Sequence, residues 1–247
     1  MQLHVETVGS GPPVVLVSGL AQVGRRWRRV AERLSDAYEV VMVDNRECGG
    51  TGPCPDGFGI DDMAADVLEA MAELGHDRFF LGGISMGGMI AQEIVRQAPE
   101  RVRAAVFLAT AGGASVAVQP EVSPLLQGGT PEEMWARLAG PGFAEAHPDV
   151  IEEEARLSVE AATPLEGIMR QVMAIARWDP GDSLVGVTGK VPIAIAHGDA
   201  DPLVPYVNGV NLAQKLGLDL ITYDGAGHVL ESERADEVTA LMRAHFT

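Results

Sequence analysis

A serine between glycines is the residue of this chain with the clearest chemical potential. The segment Gly83-Ile84-Ser85-Met86-Gly87 separates an apolar run, residues 79–84, from a helical pattern that begins at Gly87. On a sharp turn between a strand and a helix, a serine hydroxyl projects above the sheet, and small neighbours let the two backbones approach closely. We therefore predict that Ser85 is a nucleophile with a positive φ. The alternative is a glycine-rich turn with an incidental serine.

A serine hydroxyl attacks poorly until a base removes its proton. His228 is the best placed of the six histidines, because it follows the last apolar run in the flexible segment Asp224-Gly225-Ala226-Gly227-His228. We expect its Nε2 atom to lie within about 3.5 Å of the Ser85 hydroxyl oxygen. His197, at the end of an earlier run, is the alternative base, although structural hydrogen bonding is the favoured interpretation of that residue.

The base in turn needs a carboxylate that fixes its tautomer and stabilises the imidazolium. The segment from His197 to Pro205 offers Asp199 and Asp201. We prefer Asp201, because Pro202 and Pro205 rigidify the chain that follows it, and keep Asp199 as the alternative. The order Ser85, Asp201, His228 along the chain is the order of one of the known hydrolase architectures, and it differs from that of two others.

An oxyanion that forms during acyl transfer is stabilised by two backbone N–H groups. Met86, directly after Ser85, is expected to supply one of them. The other is expected from Leu20, in the segment Ser18-Gly19-Leu20-Ala21 that follows the first apolar run.

Strands and helices must alternate to bring these residues together. Nearly continuous apolar runs indicate strands buried on both faces of a parallel sheet; they cover residues 14–18, 40–44, 79–84, 102–110, 191–197 and 218–223. Residues 2–8 alternate in polarity and suit an antiparallel edge strand. The predicted fold class is α/β, a mostly parallel sheet of about seven strands with helices on both faces.

The strand rhythm stops between residues 111 and 182, where three helical patterns are separated by proline and glycine. We interpret residues 1–110 and 183–247 as the core and residues 111–182 as a helical cap inserted in the same domain. The cap should cover the Ser85 pocket and set acyl size, leaving the geometry of the catalytic residues to the sheet. Trp135, Met169 and Trp178 are candidate pocket walls, although each also suits a hydrophobic core.

Composition narrows the range of partners. The formal net charge of −17 disfavours nucleic acid and membrane surfaces, and no apolar run reaches transmembrane length. The chain has no secretory leader pattern, and Cys48 and Cys54 do not make a disulfide framework, so we expect reduced thiols and a cytoplasmic location. Four arginines around Trp27 (residues 25, 26, 28 and 29) are interpreted as a solvated helix face. The oligomeric state is not predicted.

Nearly the whole chain resembles the α/β-hydrolase superfamily. The first strand and turn of the family are matched by residues 14–20, its D-x-R-G-x-G-x-S loop by residues 44–52 and its nucleophile elbow by residues 84–92. Its acid loop resembles Asp201-Pro202, and its base loop resembles Gly227-His228. The elbow ISMGGMIAQ is similar to those of small carboxylesterases, 3-oxoadipate enol-lactonases and cofactor-free haloperoxidase-like enzymes. The sequence departs from the family at two positions. Ser18 stands where the family often has histidine. Glu47 stands where the family usually has glycine, and it is either a surface substitution or a carboxylate aimed at the pocket.

The resemblance implies a serine hydrolase that cleaves a small ester, lactone or thioester and requires no metal or organic cofactor. The same triad could instead serve acyl transfer to another acceptor, C–C cleavage or a cyclisation step in a biosynthetic pathway. A ligand receptor with slow turnover is the third interpretation.

Overall fold

A computed structural model describes residues 1–54 and 57–247 of the chain. Seven strands form one sheet, and their positions agree closely with the apolar runs of the sequence. Their bounds are β1 Val5–Gly9, β2 Pro13–Val17, β3 Glu39–Val43, β4 Phe79–Ile84, β5 Val102–Leu108, β6 Ile193–Gly198 and β7 Leu220–Tyr223.

The strands are arranged in the order β1-β3-β2-β4-β5-β6-β7. The edge strand β1 pairs antiparallel with β3, and every other pair is parallel. Parallel strands require crossover connections, which the helices supply. The predicted α/β class and the antiparallel edge strand are therefore confirmed.

Ten α-helices are present in the described part of the chain. Their bounds are α1 Arg28–Leu34, α2 Ile60–Glu73, α3 Met86–Gln97, α4 Pro131–Leu138, α5 Phe143–Ala146, α6 Pro148–Glu160, α7 Leu165–Arg177, α8 Val207–Leu216, α9 Leu230–Glu233 and α10 Ala235–His245. None of them is long and apolar enough to cross a membrane.

Hydrophobic cores lie on both faces of the sheet, because alternate residues of each buried strand point to opposite sides. Val15 and Val17 of β2 pack with α2 and α3 on one face. Val14 and Leu16 pack with α1 and α10 on the other. Burial on both faces explains why the sequence of β2 is apolar throughout.

The segment of residues 111–182, here called the cap segment, lies between β5 and β6 and contains α4 to α7. Part of it has a small apolar core of its own, in which Trp135, Leu138 and Ile151 pack with Val229 of the main body. Where the cap begins and ends stays an interpretation.

The loops that carry the predicted chemistry follow the carboxyl ends of β2, β4, β6 and β7. In a parallel sheet these ends share one edge. The four loops, residues 18–22, residue 85, residues 199–205 and residues 224–228, therefore meet at that edge.

Candidate active site

Ser85 occupies the sharp turn between β4 and α3. Its φ of 56° and ψ of −121° lie in a region that non-glycine residues rarely adopt, as the sequence predicted. The turn is held by two hydrogen bonds: the Ser85 N–H donates to the Leu108 carbonyl at 3.0 Å, and the Thr110 hydroxyl donates to the Ser85 carbonyl at 2.8 Å. The side chain of Ser85 is only partly buried.

Close backbone approach explains the glycines around Ser85. A Cβ atom on Gly87 would lie 2.1 Å from the Val17 carbonyl oxygen, and one on Gly83 would lie 2.2 Å from the Gly87 carbonyl oxygen. Neither distance is possible for a real side chain, so the turn requires glycine at both positions.

The loop after β2 lies directly beside Ser85. A Cβ atom on Gly19 would be 3.3 Å from the Ser85 Cβ atom. The start of this loop is fixed by Ser18, whose hydroxyl donates to the Val23 carbonyl at 3.0 Å and whose carbonyl accepts from the Asn45 amide at 2.9 Å. Ser18 thus anchors this loop to the main body through its hydroxyl and its carbonyl.

Leu20, in the loop beside Ser85, and Met86, the residue that follows Ser85, are the two predicted oxyanion donors. Met86 is the first residue of α3, where helical N–H groups have no intrahelical acceptor. Leu20 follows Gly19, and no acceptor for its N–H group occurs in residues 1–54 and 57–247. The two predicted oxyanion donors are therefore uncommitted beside the serine turn.

His228 and Asp201 form a buried pair. The Nδ1 atom of His228 lies 2.8 Å from Oδ2 of Asp201. Burial opposes the charge on Asp201, but His228 and His197 beside it hold the pKa of this carboxyl well below its usual range. Burial likewise opposes protonation of His228, yet the Asp201 carboxylate outweighs it and raises the pKa of the imidazole above its ordinary value.

The orientation of this pair leaves one nitrogen of His228 for chemistry. Because the carboxylate can only accept, Nδ1 carries the proton, and Nε2 keeps its lone pair. Oδ1 of Asp201 is held by the N–H groups of Leu203 and Val204, both at 2.8 Å. The carboxylate is thus fixed independently of the histidine.

Asp199 and His197, the alternative acid and the alternative base, have other hydrogen-bond partners in the structure. Asp199 is exposed and accepts the Gly225 N–H at 2.6 Å, so it supports the loop that leads to His228. His197 is fully buried; its Nε2 atom lies 2.8 Å from the Val204 carbonyl oxygen and 3.2 Å from Oδ2 of Asp201. His197 therefore has the structural hydrogen-bonding place that was favoured for it.

The cap segment holds the loop of His228, which was not expected. The His228 N–H donates to the Leu138 carbonyl at 2.7 Å. The Glu233 carboxylate accepts the N–H groups of Gly227 at 2.9 Å and Gly140 at 3.0 Å, and so joins the two segments. The sequence left the geometry of the catalytic residues to the sheet; in the structure the end of α4 is also hydrogen-bonded to the base loop.

A buried charged cluster lies behind His228. Arg26 is 3% exposed, bonds to Glu154 of α6 and lies 4.0 Å above the Trp135 ring. Glu231 is also buried, and burial raises the pKa of its carboxyl to about 7. For Arg26 the interpretation as part of a solvated face is wrong, because its side chain is buried and ion-paired with Glu154 of the cap segment.

The three candidate pocket walls have different places. Trp135 is 3% exposed, and its indole N–H donates to the Ser158 hydroxyl at 2.7 Å. Trp178 is 7% exposed and donates to Glu93 at 3.2 Å. Both indoles are packed in hydrophobic cores and hydrogen-bonded there, which agrees with the alternative that each suits a core, and their role as pocket walls stays a prediction. Met169 is about half exposed, and its role stays a prediction.

Glu47 is neither a surface residue nor a free carboxylate. Its side chain is fully buried, its φ is 74°, and its carboxylate bonds to Arg170 of α7 at 2.6 and 3.0 Å. Arg170 lowers the pKa of Glu47. The interpretation of Glu47 as a surface substitution is therefore wrong. Glu47, which stands where the family usually has glycine, forms an ion pair with Arg170 of the cap segment.

Several residues of the site carry no sequence signal. Gln171, Glu233 and Arg26 act through partners more than 90 residues away, which no local motif reveals. Glu231, three residues after His228, could have been noticed as an acidic residue close to the base. Within the described residues, no group of three or more His, Cys, Asp or Glu side chains is arranged to hold a metal ion.

Several known proteins resemble this chain in sequence or in structure. The chain is 27% identical to a candidate non-heme haloperoxidase of Mycobacterium phage D29, over 91% of this chain and 84% of that protein. It is 26% identical to a candidate carbamate hydrolase, RutD, of Agrobacterium fabrum, over 95% of this chain and 93% of that protein. A thermophilic esterase from Thermogutta terrifontis superposes with a TM-score of 0.82 at 25% identity, covering 98% of this chain and 92% of the esterase.

A model of the α/β hydrolase fold family matches residues 12–159, which is more than half of the chain. That span includes the serine turn and the loop after β2. The resemblance drawn from the sequence is thereby confirmed, and the chain belongs to the α/β-hydrolase fold family and is an enzyme.

Proposed function

We propose that this enzyme hydrolyses a small ester, lactone or thioester through an acyl-enzyme on Ser85. One observation carries the proposal: a buried carboxylate holds Nδ1 of His228 at 2.8 Å, at the same sheet edge as a serine on a strained turn. A base whose second nitrogen is uncommitted, at the sheet edge that also carries a projecting hydroxyl, supports activation of the serine.

Attack on the substrate carbonyl begins the reaction. Nε2 of His228 takes the Ser85 hydroxyl proton as Oγ adds to the carbonyl carbon, and the imidazolium is stabilised by the Asp201 carboxylate. The negative oxygen is held by the N–H groups of Leu20 and Met86, and the positive end of α3 favours the same charge. His228 then donates its proton to the leaving group, which departs as an alcohol or thiol.

Release of the acid repeats these steps with water. His228 removes a proton from water, the hydroxide adds to the acyl carbon, and Ser85 leaves with the proton that His228 returns. The raised pKa of His228 suits a group that must carry a proton in the intermediate and lose it afterwards.

The names of two related proteins agree with this reaction class. One is an esterase and the other a candidate carbamate hydrolase, and both names describe cleavage at a carbonyl carbon by water. The cap segment, residues 111–182, is proposed to limit the size of the acyl group that the enzyme accepts. The exposed Met169 is a candidate contact for that acyl group.

Steady-state turnover of a short activated ester such as 4-nitrophenyl butyrate tests the proposal. We expect many turnovers per enzyme molecule, a loss of several orders of magnitude in Ser85→Ala, and unchanged rates in the control Ser183→Ala. Ser183 is exposed and bonds only locally, to the Pro180 carbonyl. A single turnover without release would favour the receptor interpretation, and equal turnover in Ser85→Ala would exclude Ser85 as the nucleophile.

A further inference from the structure

Gln171 of α7 is a fully buried amide in the cap segment that contacts two loops of the main body. Its Oε1 atom accepts the Ala21 N–H at 2.7 Å. Its Nε2 atom donates to the Arg46 carbonyl at 2.7 Å and lies 3.2 Å from the Cys48 sulfur. Since an N–H can only donate and a carbonyl can only accept, these partners fix the orientation of the amide.

Ala21 has a backbone conformation that needs such support. Its φ is 56°, a left-handed value that an alanine rarely adopts. A hydrogen bond from its own N–H group to a buried acceptor offsets part of that cost. The bond also fixes the plane of the peptide that joins Leu20 to Ala21.

The other hydrogen bonds of this loop join its two ends to each other and to the main body, and one of them runs from the Gln22 N–H to the Gly19 carbonyl at 3.3 Å. Ser18 bonds to Val23 and Asn45, and the Gly19 N–H donates to the Gln22 side chain at 3.1 Å. In the described part of the chain, the Ala21 bond to Gln171 is the hydrogen bond by which the cap segment holds the loop. The Leu20 N–H group belongs to the preceding peptide, so Leu20 is held on its C-terminal side by a side chain that lies 150 residues further along the chain.

We propose that Gln171 is a positioning residue that holds the Leu20 N–H group in place for the oxyanion. This rests on the proposed function, since it assigns a role within that reaction. Gln171 touches neither substrate nor Ser85; it acts through Ala21. It makes the chemical step depend on one hydrogen bond from the cap segment, beyond any role of that segment in substrate size.

Oxyanion contacts strengthen only as the transition state forms. Loss of a whole donor costs about 10²- to 10³-fold in kcat, and a misplaced donor should cost less. For Gln171→Met, which keeps side-chain volume and loses the amide, we expect kcat and kcat/KM to fall together by about 10- to 100-fold, with KM changed less than about twofold. A purely structural role would lower the amount of folded enzyme without this pattern.

The neighbouring residue supplies a matched control. Arg170 lies on the same helix and bonds to Glu47, in the loop that also receives the Gln171 amide, but not to residues 18–22. Arg170→Gln should therefore lower thermal stability and leave kcat within about twofold. If the Met variant does not fold, Gln171→Asn, whose amide is one methylene shorter, carries the same test.

Steady-state kinetics of the full chain, after active-site titration of the wild type with a fluorophosphonate, decide the outcome. A fall in kcat confined to the Gln171 variant supports the role of the amide. An unchanged kcat, a change in KM alone, or an equal loss in Arg170→Gln overturns it while leaving the proposed function intact. A wild type that neither reacts with the probe nor turns over ester overturns both.

Discussion

Asp201 and His228 are joined at 2.8 Å between Oδ2 and Nδ1, and the other carboxylate oxygen of Asp201 accepts two backbone N–H groups. The orientation of the carboxylate is therefore fixed by the backbone, independently of the histidine. This arrangement sets the tautomer of the base, and the first prediction tests it.

Asp201→Asn should lower kcat by about 10³- to 10⁴-fold, because an amide that donates to Nδ1 would leave the proton on the wrong nitrogen. Asp199→Asn is the matched control; Asp199 is exposed and accepts the Gly225 N–H, so its variant should stay within about tenfold of the wild type. Ester turnover of the purified variants measures both. Comparable losses in the two variants would contradict the assignment of Asp201.

The pH profile of kcat/KM should show an acid limb with its midpoint above 6.5, the ordinary pKa of histidine. The Asp201 carboxylate raises the pKa of His228 against the effect of burial, and only the neutral imidazole can act as base. Activity therefore rises as the pH rises through this raised value.

Glu231→Gln provides a second test of the acid limb in the pH profile of kcat/KM. The negative charge of Glu231 also raises the pKa of His228, so its removal should move the midpoint to lower pH while turnover at high pH persists. A wild-type midpoint below 6.5, or a shift to higher pH in the variant, would be inconsistent with the electrostatics of the buried pair.

Gly227→Ala should separate the cap segment from the base loop. An added Cβ atom would meet the Ala139 carbonyl carbon and the Leu138 carbonyl oxygen at 2.4 Å, and backbone atoms cannot move aside as a flexible side chain can. We expect a loss of about 1–3 kcal/mol in the free energy of unfolding, as for other overpacked sites, together with reduced kcat.

Gly186→Ala is the control for this change, because nothing lies within 4 Å of the added atom. Its free energy of unfolding should change by less than about 0.5 kcal/mol. Chemical denaturation and ester turnover measure the two effects. Wild-type stability in Gly227→Ala would show that the end of α4 is not packed on the base loop in solution.

The sheet and the three candidate catalytic residues, Ser85, Asp201 and His228, could be predicted because each is marked by a pattern of neighbouring residues in the sequence. An apolar run such as residues 79–84 reveals a buried strand, and glycines mark the turn at Ser85 and the loop before His228. Parallel pairing then places the carboxyl ends of the strands at one edge, where the loops that follow them meet.

Contacts of the cap segment were not predictable in the same way. Gln171 and Ala21 meet only because α7 packs on the loop after β2, and no periodicity in α7 distinguishes that glutamine from an exposed one. Trp178 was assigned to the pocket from its apolar character alone, but its partner Glu93 lies 85 residues away in the chain. Pairings of this kind depend on tertiary packing that composition does not specify.

Covalent labelling of Ser85 by a fluorophosphonate, followed by intact-mass and peptide mass spectrometry, tests the central claim most directly. We expect one adduct per chain, located on Ser85, and none in Ser85→Ala, while the control Ser183→Ala is labelled as the wild type is. An adduct on another residue, or labelling retained in Ser85→Ala, would contradict it.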